Sequence, residues 1–181
     1  QCELMYTYDR LFGQYNHTVA QMLLTWEDFD HENRLHNLQN TLERLLQLHA
    51  IPIINENDPV ACEEYSLGDN DTLAALVAKC IHADLVVLMS DIDGLYTADP
   101  HTHPEAALLH HVARVDDHIR EIAGISSSTQ GTGGMVTKLH AADICLGCGC
   151  KMVIANGNNP GNLYDILEGK TVGTTFSEER L

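Results

Sequence analysis

The chain reads as an α/β protein, a three-layer αβα sandwich with a mostly parallel central sheet, and three observations predict this. Short apolar runs rich in branched residues recur along it, helical patterns separate them, and the strand-like runs are apolar on both faces. Parallel strands need crossover connections, which the intervening helices supply. A length of 181 residues suits one domain, and no repeat or Pro/Ser-rich linker divides it.

Strands are expected at 18–24, 51–55, 84–90 and 151–155, each short and rich in Val, Ile, Leu or Met. Between the first two, Leu35, Leu38, Leu42, Leu45 and Leu46 form one face of a helix. Between the second and third, Leu73, Leu76, Val77, Cys80 and Ile81 form another. A third helix is expected around Leu139 to Leu146, entered through a glycine-rich segment and ended by Gly147 and Gly149.

Ten Lys plus Arg against 26 Asp plus Glu give a formal charge of −16, which repels phosphodiester backbones and anionic lipid headgroups. Nucleic acid and membrane are therefore unexpected partners. The apolar runs, such as Leu85 to Met89, are strand-sized and too short to span a bilayer. Six cysteines, with Cys80 on an apolar helical face, suit a reducing, cytoplasmic setting. The first residue is Gln1 and no signal-peptide pattern follows it, so a preceding segment is expected.

In sheets of this class ligands bind beyond the carboxyl ends of the strands, which directs attention to three loops. GTGGMVTK at 131–138 places three glycines, two threonines and Lys138 at a helix entrance. Backbone N–H groups, the helix dipole and a lysine together suit a nucleotide phosphate, although the spacing is not that of a Walker A loop. The plain alternative is a surface loop capped by Thr132 or Thr137. Asp69, Asn70 and Asp71 precede the Leu73 helix, where one cap residue would suffice, and Asn55 to Asp58 form a second polar cluster after a strand. Two such clusters suggest a site for a small zwitterion, or for a lysine or hydrated Mg²⁺ near phosphates. Ser90, Asp91, Asp93 and Gly94 follow the most apolar strand. They form either a simple turn or a nucleotide contact, with Tyr96 walling the base. Cys145, Cys148 and Cys150 contain one C-x-x-C without a second to complete a zinc site, and His101, His103, His110 and His111 fall in a polar connection. Neither cluster is read as a metal site.

Taken together, INEND at 54–58, GDND at 68–71, SDIDGLYTADP at 90–100 and GTGGMVTK at 131–138 resemble the amino acid kinase family, in its glutamate 5-kinase branch. QMLLT at 21–25 and NGNNPGNLYDILEGKTVGTTF at 156–176 extend the resemblance over nearly the whole chain. It implies ATP-dependent phosphorylation of the L-glutamate side-chain carboxylate to L-glutamyl 5-phosphate, the first step of proline biosynthesis, with Mg²⁺ accompanying ATP. By the same resemblance Asp58 and Asn70 contact glutamate and Asp71 organises the catalytic centre. Ser90 and Asp91 bind ATP. Thr132, Gly133, Gly134, Met135, Val136, Thr137 and Lys138 hold its phosphates, Lys138 being also the transition-state cation. A homo-oligomer with feedback inhibition by proline is implied too. The Lys-x-Gly-Ser/Thr strand and the Ser-Gly-Ala loop typical of the family are missing. Residues 1–181 are accordingly read as an amino acid kinase domain lacking its N-terminal strands and phosphate-binding lysine motif, inactive or weak as this chain alone. The alternatives are a kinase for N-acetylglutamate or aspartate, and a nucleotide-binding sensor without turnover.

Overall fold

A computed structural model describes residues 2–60, 68–100, 102–125 and 134–178. The chain packs as two compact units, Gln1–Leu73 and Ala74–Leu181. In the first, helix α1 (Cys2–Gly13) turns through Asn16, held in the left-handed region at φ 57°, into strand β1 (Thr18–Leu24). Helices α2 (Glu27–Asp30) and α3 (Glu32–Gln47) then cross over to β2 (Ala50–Glu56). The two strands pair in parallel along their length, from Thr18 opposite Ala50 to Leu24 opposite Glu56. Leu38 and Leu42, one helical turn apart on α3, are 6% and 1% exposed and anchor the crossover. Its entry is fixed by Asp28, whose carboxylate accepts the Thr25 N–H at 2.7 Å, while Arg34 bridges Asp28 and Glu27. Burial pushes the Asp28 carboxyl up, but the Thr25 and Arg34 hydrogen bonds outweigh it and hold the group below the usual carboxylate range.

Helix α4 (Asn70–Cys80) carries the chain into the second unit, where β3 (Leu85–Ser90), β4 (His111–Val112), α5 (Asp117–Ile125), α6 (Met135–Gly147), β5 (Lys151–Asn156), α7 (Asn162–Leu167) and β6 (Thr174–Phe176) follow. The strand order is β3-β5-β6-β4, with β3/β5 and β4/β6 parallel and β5/β6 antiparallel. One face of the sheet gives Val86, Leu88, Met152 and Ile154 to a core completed by Ala75, Ala78, Ile122, Leu139, Ala142 and Phe176. On the other face of β5, Val153 and Ala155 are 3% and 0% exposed, so this strand is covered on both sides. Among the described residues no helix is long and apolar enough to cross a membrane.

The four strands expected from the sequence form within a residue or so of their expected ends. Helices α1, α2, α5 and α7 and the two- and three-residue strands β4 and β6 lie outside the expected elements. The histidines also need correction: His111 opens β4 with its Nε2 3.2 Å from the Ser177 hydroxyl, and His110 Nδ1 lies 3.2 Å from the Gly173 carbonyl oxygen. They belong to a sheet edge rather than to a loose polar connection; His101 lies outside the described residues.

The loop after β3 is locked to β6 by one buried hydroxyl. Thr174 Oγ1 accepts the Leu95 N–H at 2.8 Å and donates to the Leu109 carbonyl at 2.5 Å. Its neighbour Gly173 has φ 62°, and a Cβ there would come within 1.9 Å of the Ile154 carbonyl oxygen. Thr174→Val keeps the shape but strands a buried donor and acceptor, so it should destabilise the protein by about 1–3 kcal/mol, read as a lower urea midpoint with an unchanged m-value.

Candidate functional site

In the second unit the functional groups gather at the carboxyl end of the sheet, and element lengths show why. Helix α6 turns back at Cys148 to Cys150 into β5 and packs against it. Thirteen helical residues and six strand residues each span about 20 Å. The start of α6 therefore lies level with the end of β5. Asn156, the last residue of β5, pairs with Ser90, the last of β3, and the Gly157 N–H continues the ladder to the Ser90 carbonyl at 2.7 Å. Ser90, Asp91 and the α6 segment from Gly134 to Lys138 thus share one end of this unit. Thr132 and Gly133 lie outside the described residues.

The start of α6 is electrostatically unusual. Its N-cap is Gly134, which gives no side-chain hydrogen bond, and its first turn holds no acidic residue. A 13-residue helix in a chain of net charge −16 thus presents its positive end without an internal carboxylate to neutralise it. Thr137 turns its hydroxyl to the Gly134 carbonyl at 2.7 Å, tightening the turn. Met135 packs into the core, Val136 is 58% exposed, and Lys138, one turn in, is 8% exposed beside Leu139. A lysine one turn into a helix adds its charge to the positive helix start, an arrangement suited to an anionic ligand.

Beyond Ser90, whose hydroxyl donates to Asp91 at 3.1 Å, the chain is tied by Asp93. The Asp93 carboxylate accepts the Asn156 carboxamide at 2.7 Å and the Tyr96 hydroxyl at 3.1 Å. Partial burial, then the hydrogen bond to Asp93 and its charge, pushes the Tyr96 phenol above its ordinary value. The sequence reading missed Asn156; the available signal was a polar side chain ending an otherwise apolar strand.

In the first unit, Asn55 and Glu56 end β2, and the Asn57 N–H reaches the Leu24 carbonyl at 2.7 Å, carrying the parallel ladder one residue further. Asp58 follows, exposed. At the start of α4 the cap is Asp69: its carboxylate accepts the Thr72 N–H at 2.7 Å and the Thr72 hydroxyl at 2.9 Å. Capping of Thr72 therefore falls to Asp69 rather than to Asn70 or Asp71.

The three cysteines after Ile144 form the helix stop that their glycines suggested. The Cys150 N–H returns to the Cys145 carbonyl at 2.9 Å, and Gly149 adopts φ 74°. Burial, then the neighbouring Cys150 and Cys148, pushes the Cys145 thiol up to about 12, and burial likewise raises Cys150. Such thiols are poor nucleophiles. Among the described residues no group of three or more His, Cys, Asp or Glu is arranged to hold a metal ion.

Comparison with known proteins follows the same geometry. A family model described as the amino acid kinase family matches residues 1–156. A protein named Glutamate 5-kinase from Clostridium perfringens (strain 13 / Type A) is 44% identical over 180 residues, covering 97% of this chain and 67% of that protein. One of the same name from Listeria innocua is 45% identical over 184 residues, with 99% and 67% covered, and one from Caldanaerobacter subterraneus 47% over 173 residues, with 96% and 46% covered. The chain thus spans about two-thirds or less of these relatives. Among solved structures, isopentenyl phosphate kinase from T. acidophilum superposes with TM-score 0.65 at 17% identity over 96% of this chain and 66% of that one. Uridylate kinase from Archaeoglobus fulgidus gives 0.56 at 24% over 77% and 57%. These two share the fold.

Two outcomes are expected from this geometry. Asp69→Ala should cost about 1 kcal/mol in denaturant unfolding, whereas Asn70→Ala should cost less than about 0.5 kcal/mol, because Asp69 is the residue that caps Thr72. For Cys145 the unfolded thiol ionises near 9.0 and the folded one near 12. Its contribution to stability is complete below pH 9.0 and is lost as pH rises towards 12. Stability measured across that window should fall, and less steeply in Cys145→Ala.

Proposed function

The chain belongs to the amino acid kinase family, and from that premise we propose that it transfers the γ-phosphoryl group of ATP to the side-chain carboxylate of L-glutamate. The products are L-glutamyl 5-phosphate and ADP, and the reaction is the first step of proline biosynthesis. The observation that carries the phosphate half is the start of α6, with glycine at the N-cap, no acidic residue in the first turn and Lys138 one turn in, level with Ser90 and Asp91. The acceptor half rests on the 44–47% identity to proteins named Glutamate 5-kinase.

The chemistry asks little covalent help of the protein. The attacking carboxylate, with an ordinary pKa near 4.3, is already ionised at neutral pH, so no general base is required. A bond forms between a glutamate carboxylate oxygen and the γ-phosphorus while the bond from that phosphorus to the β-γ bridging oxygen breaks. The electron pair leaves with ADP. The barrier comes from bringing a carboxylate against a triphosphate, so positioning and charge neutralisation are the protein's work.

In this reading the first-turn amides of α6, with Thr132 to Thr137, cradle the phosphates. Lys138 balances charge on the transferring group, and Ser90 and Asp91 hold the nucleoside. Asp58 accepts the glutamate ammonium, Asn70 donates to its carboxylate, and Asp71 orders the reacting groups. Mg²⁺ would accompany ATP and would supply further charge neutralisation at the phosphates.

Hydroxylamine trapping of the acyl phosphate tests the assignment, with MgATP and glutamate, N-acetylglutamate or aspartate as acceptor. Hydroxamate should form from glutamate alone, and Lys138→Ala should lower kcat by about a hundredfold or more. The assay is run on the full-length protein: if it binds MgATP yet yields no hydroxamate from any acceptor, it is a nucleotide sensor, and the kinase reading falls.

A further inference from the structure

The loops after β3 and β5 meet at one side chain. Asp93 is exposed to solvent, yet its two carboxylate oxygens are spent on two different elements: Oδ1 on Asn156 Nδ2 at 2.7 Å and Oδ2 on Tyr96 Oη at 3.1 Å. Asn156 is itself committed. Its Oδ1 accepts the Asn158 N–H at 2.9 Å, and its carbonyl accepts Asn162 Nδ2 at 3.0 Å. On the far side, the same loop is pinned by the Leu95 N–H on Thr174 and by the Tyr96 bridge to Leu108. Gly94 lies between the two anchors, at φ 157°, where a Cβ would meet Thr174 Oγ1 at 2.5 Å.

A turn needs none of this. Ser90 and Asp91 stand just before the bracket and Tyr96 within it, so the carboxylate sets where these three present themselves. A bare carboxylate beside a phosphate site would also repel the ligand; two donors aimed at it draw its charge away. We infer that Asp93 is a positioning residue for the nucleotide, bracing Tyr96 against the end of β5 through Asn156, an inference that rests on the nucleotide half of the reading above.

The test is calorimetric binding of MgATP to the protein and to Asp93→Ala, Asp93→Asn, Tyr96→Phe and the Asp93→Ala/Tyr96→Phe double variant, with thermal melts on each. Glutamate KM comes from hydroxamate formation. Removing two hydrogen bonds to a charged acceptor should weaken MgATP about tenfold in Asp93→Ala, with glutamate KM changed less than about twofold. Asp93→Asn should stay within about threefold of the parent, because its amide accepts from Asn156 and donates to the Tyr96 oxygen. The double variant should bind no more weakly than Asp93→Ala alone. Unchanged MgATP affinity in Asp93→Ala overturns the inference. So does an equal loss of nucleotide and glutamate binding accompanied by a lower Tm, which marks a structural role. If the parent binds MgATP and the affinity shifts follow this pattern without any hydroxamate, Asp93 keeps its role and the glutamate assignment fails. A parent that does not bind MgATP removes both.

Discussion

The second unit is organised by a strand with nowhere to go but inward. Met152 to Ala155 of β5 are at most 3% exposed, on both faces, with β3 hydrogen-bonded along one edge and β6 along the other. A backbone so enclosed must satisfy its N–H and C=O groups within the sheet, so both edges need partners and both faces need side chains. The loop after β3, the threonine of β6 that pins it and the helix that precedes β5 all take their places from that requirement. Polar groups can only appear where the strand ends, which is why Asn156 and Ser90 stand together.

Local chemistry then divides labour between neighbouring residues that look interchangeable in a string of letters. In GDND, Asp69 is occupied by Thr72 and its backbone, whereas Asn70 and Asp71 are not needed for that task. In SDIDG, Ser90 and Asp91 bond to one another, whereas Asp93 reaches across to a second strand end. The functional weight of an acidic residue here depends on whether a helix terminus or a turn has already claimed it.

Much of this was readable in advance, and the remainder was not for identifiable reasons. Runs such as LVVLMS and KMVIAN announce buried strands because nothing else accommodates branched side chains on two faces. Leu38 and Leu42 announce α3 by their spacing. By contrast, α1 went unread although Leu4, Tyr8 and Leu11 recur at helical spacing, while β4 and β6 are too short to show any period. Helix α3 passes to β2 through His49 at φ 55°, and α4 ends near His82 at φ 53°; neither carries the glycine that usually marks such a stop. At the site, residue types and order directed attention to the glycine-rich segment before α6 and to the polar clusters at the strand ends. The Asp93–Asn156 contact joins residues 63 apart in sequence, and no local pattern reports it.

The open positive end of α6 also bears on how ligands arrive. Its influence extends only over the first turn or so, whereas the chain as a whole carries a formal charge of −16. At a Debye length of about 8 Å an approaching anion feels the repulsive surface before it feels the helix. Encounter is consequently a matter of passing a barrier and then falling into a short-range trap. Nucleotide that comes already neutralised by a divalent cation crosses that barrier more readily than the free tetra-anion. On the function proposed above, the acidic surface would act as a kinetic filter favouring the metal-bearing form of the phosphate donor.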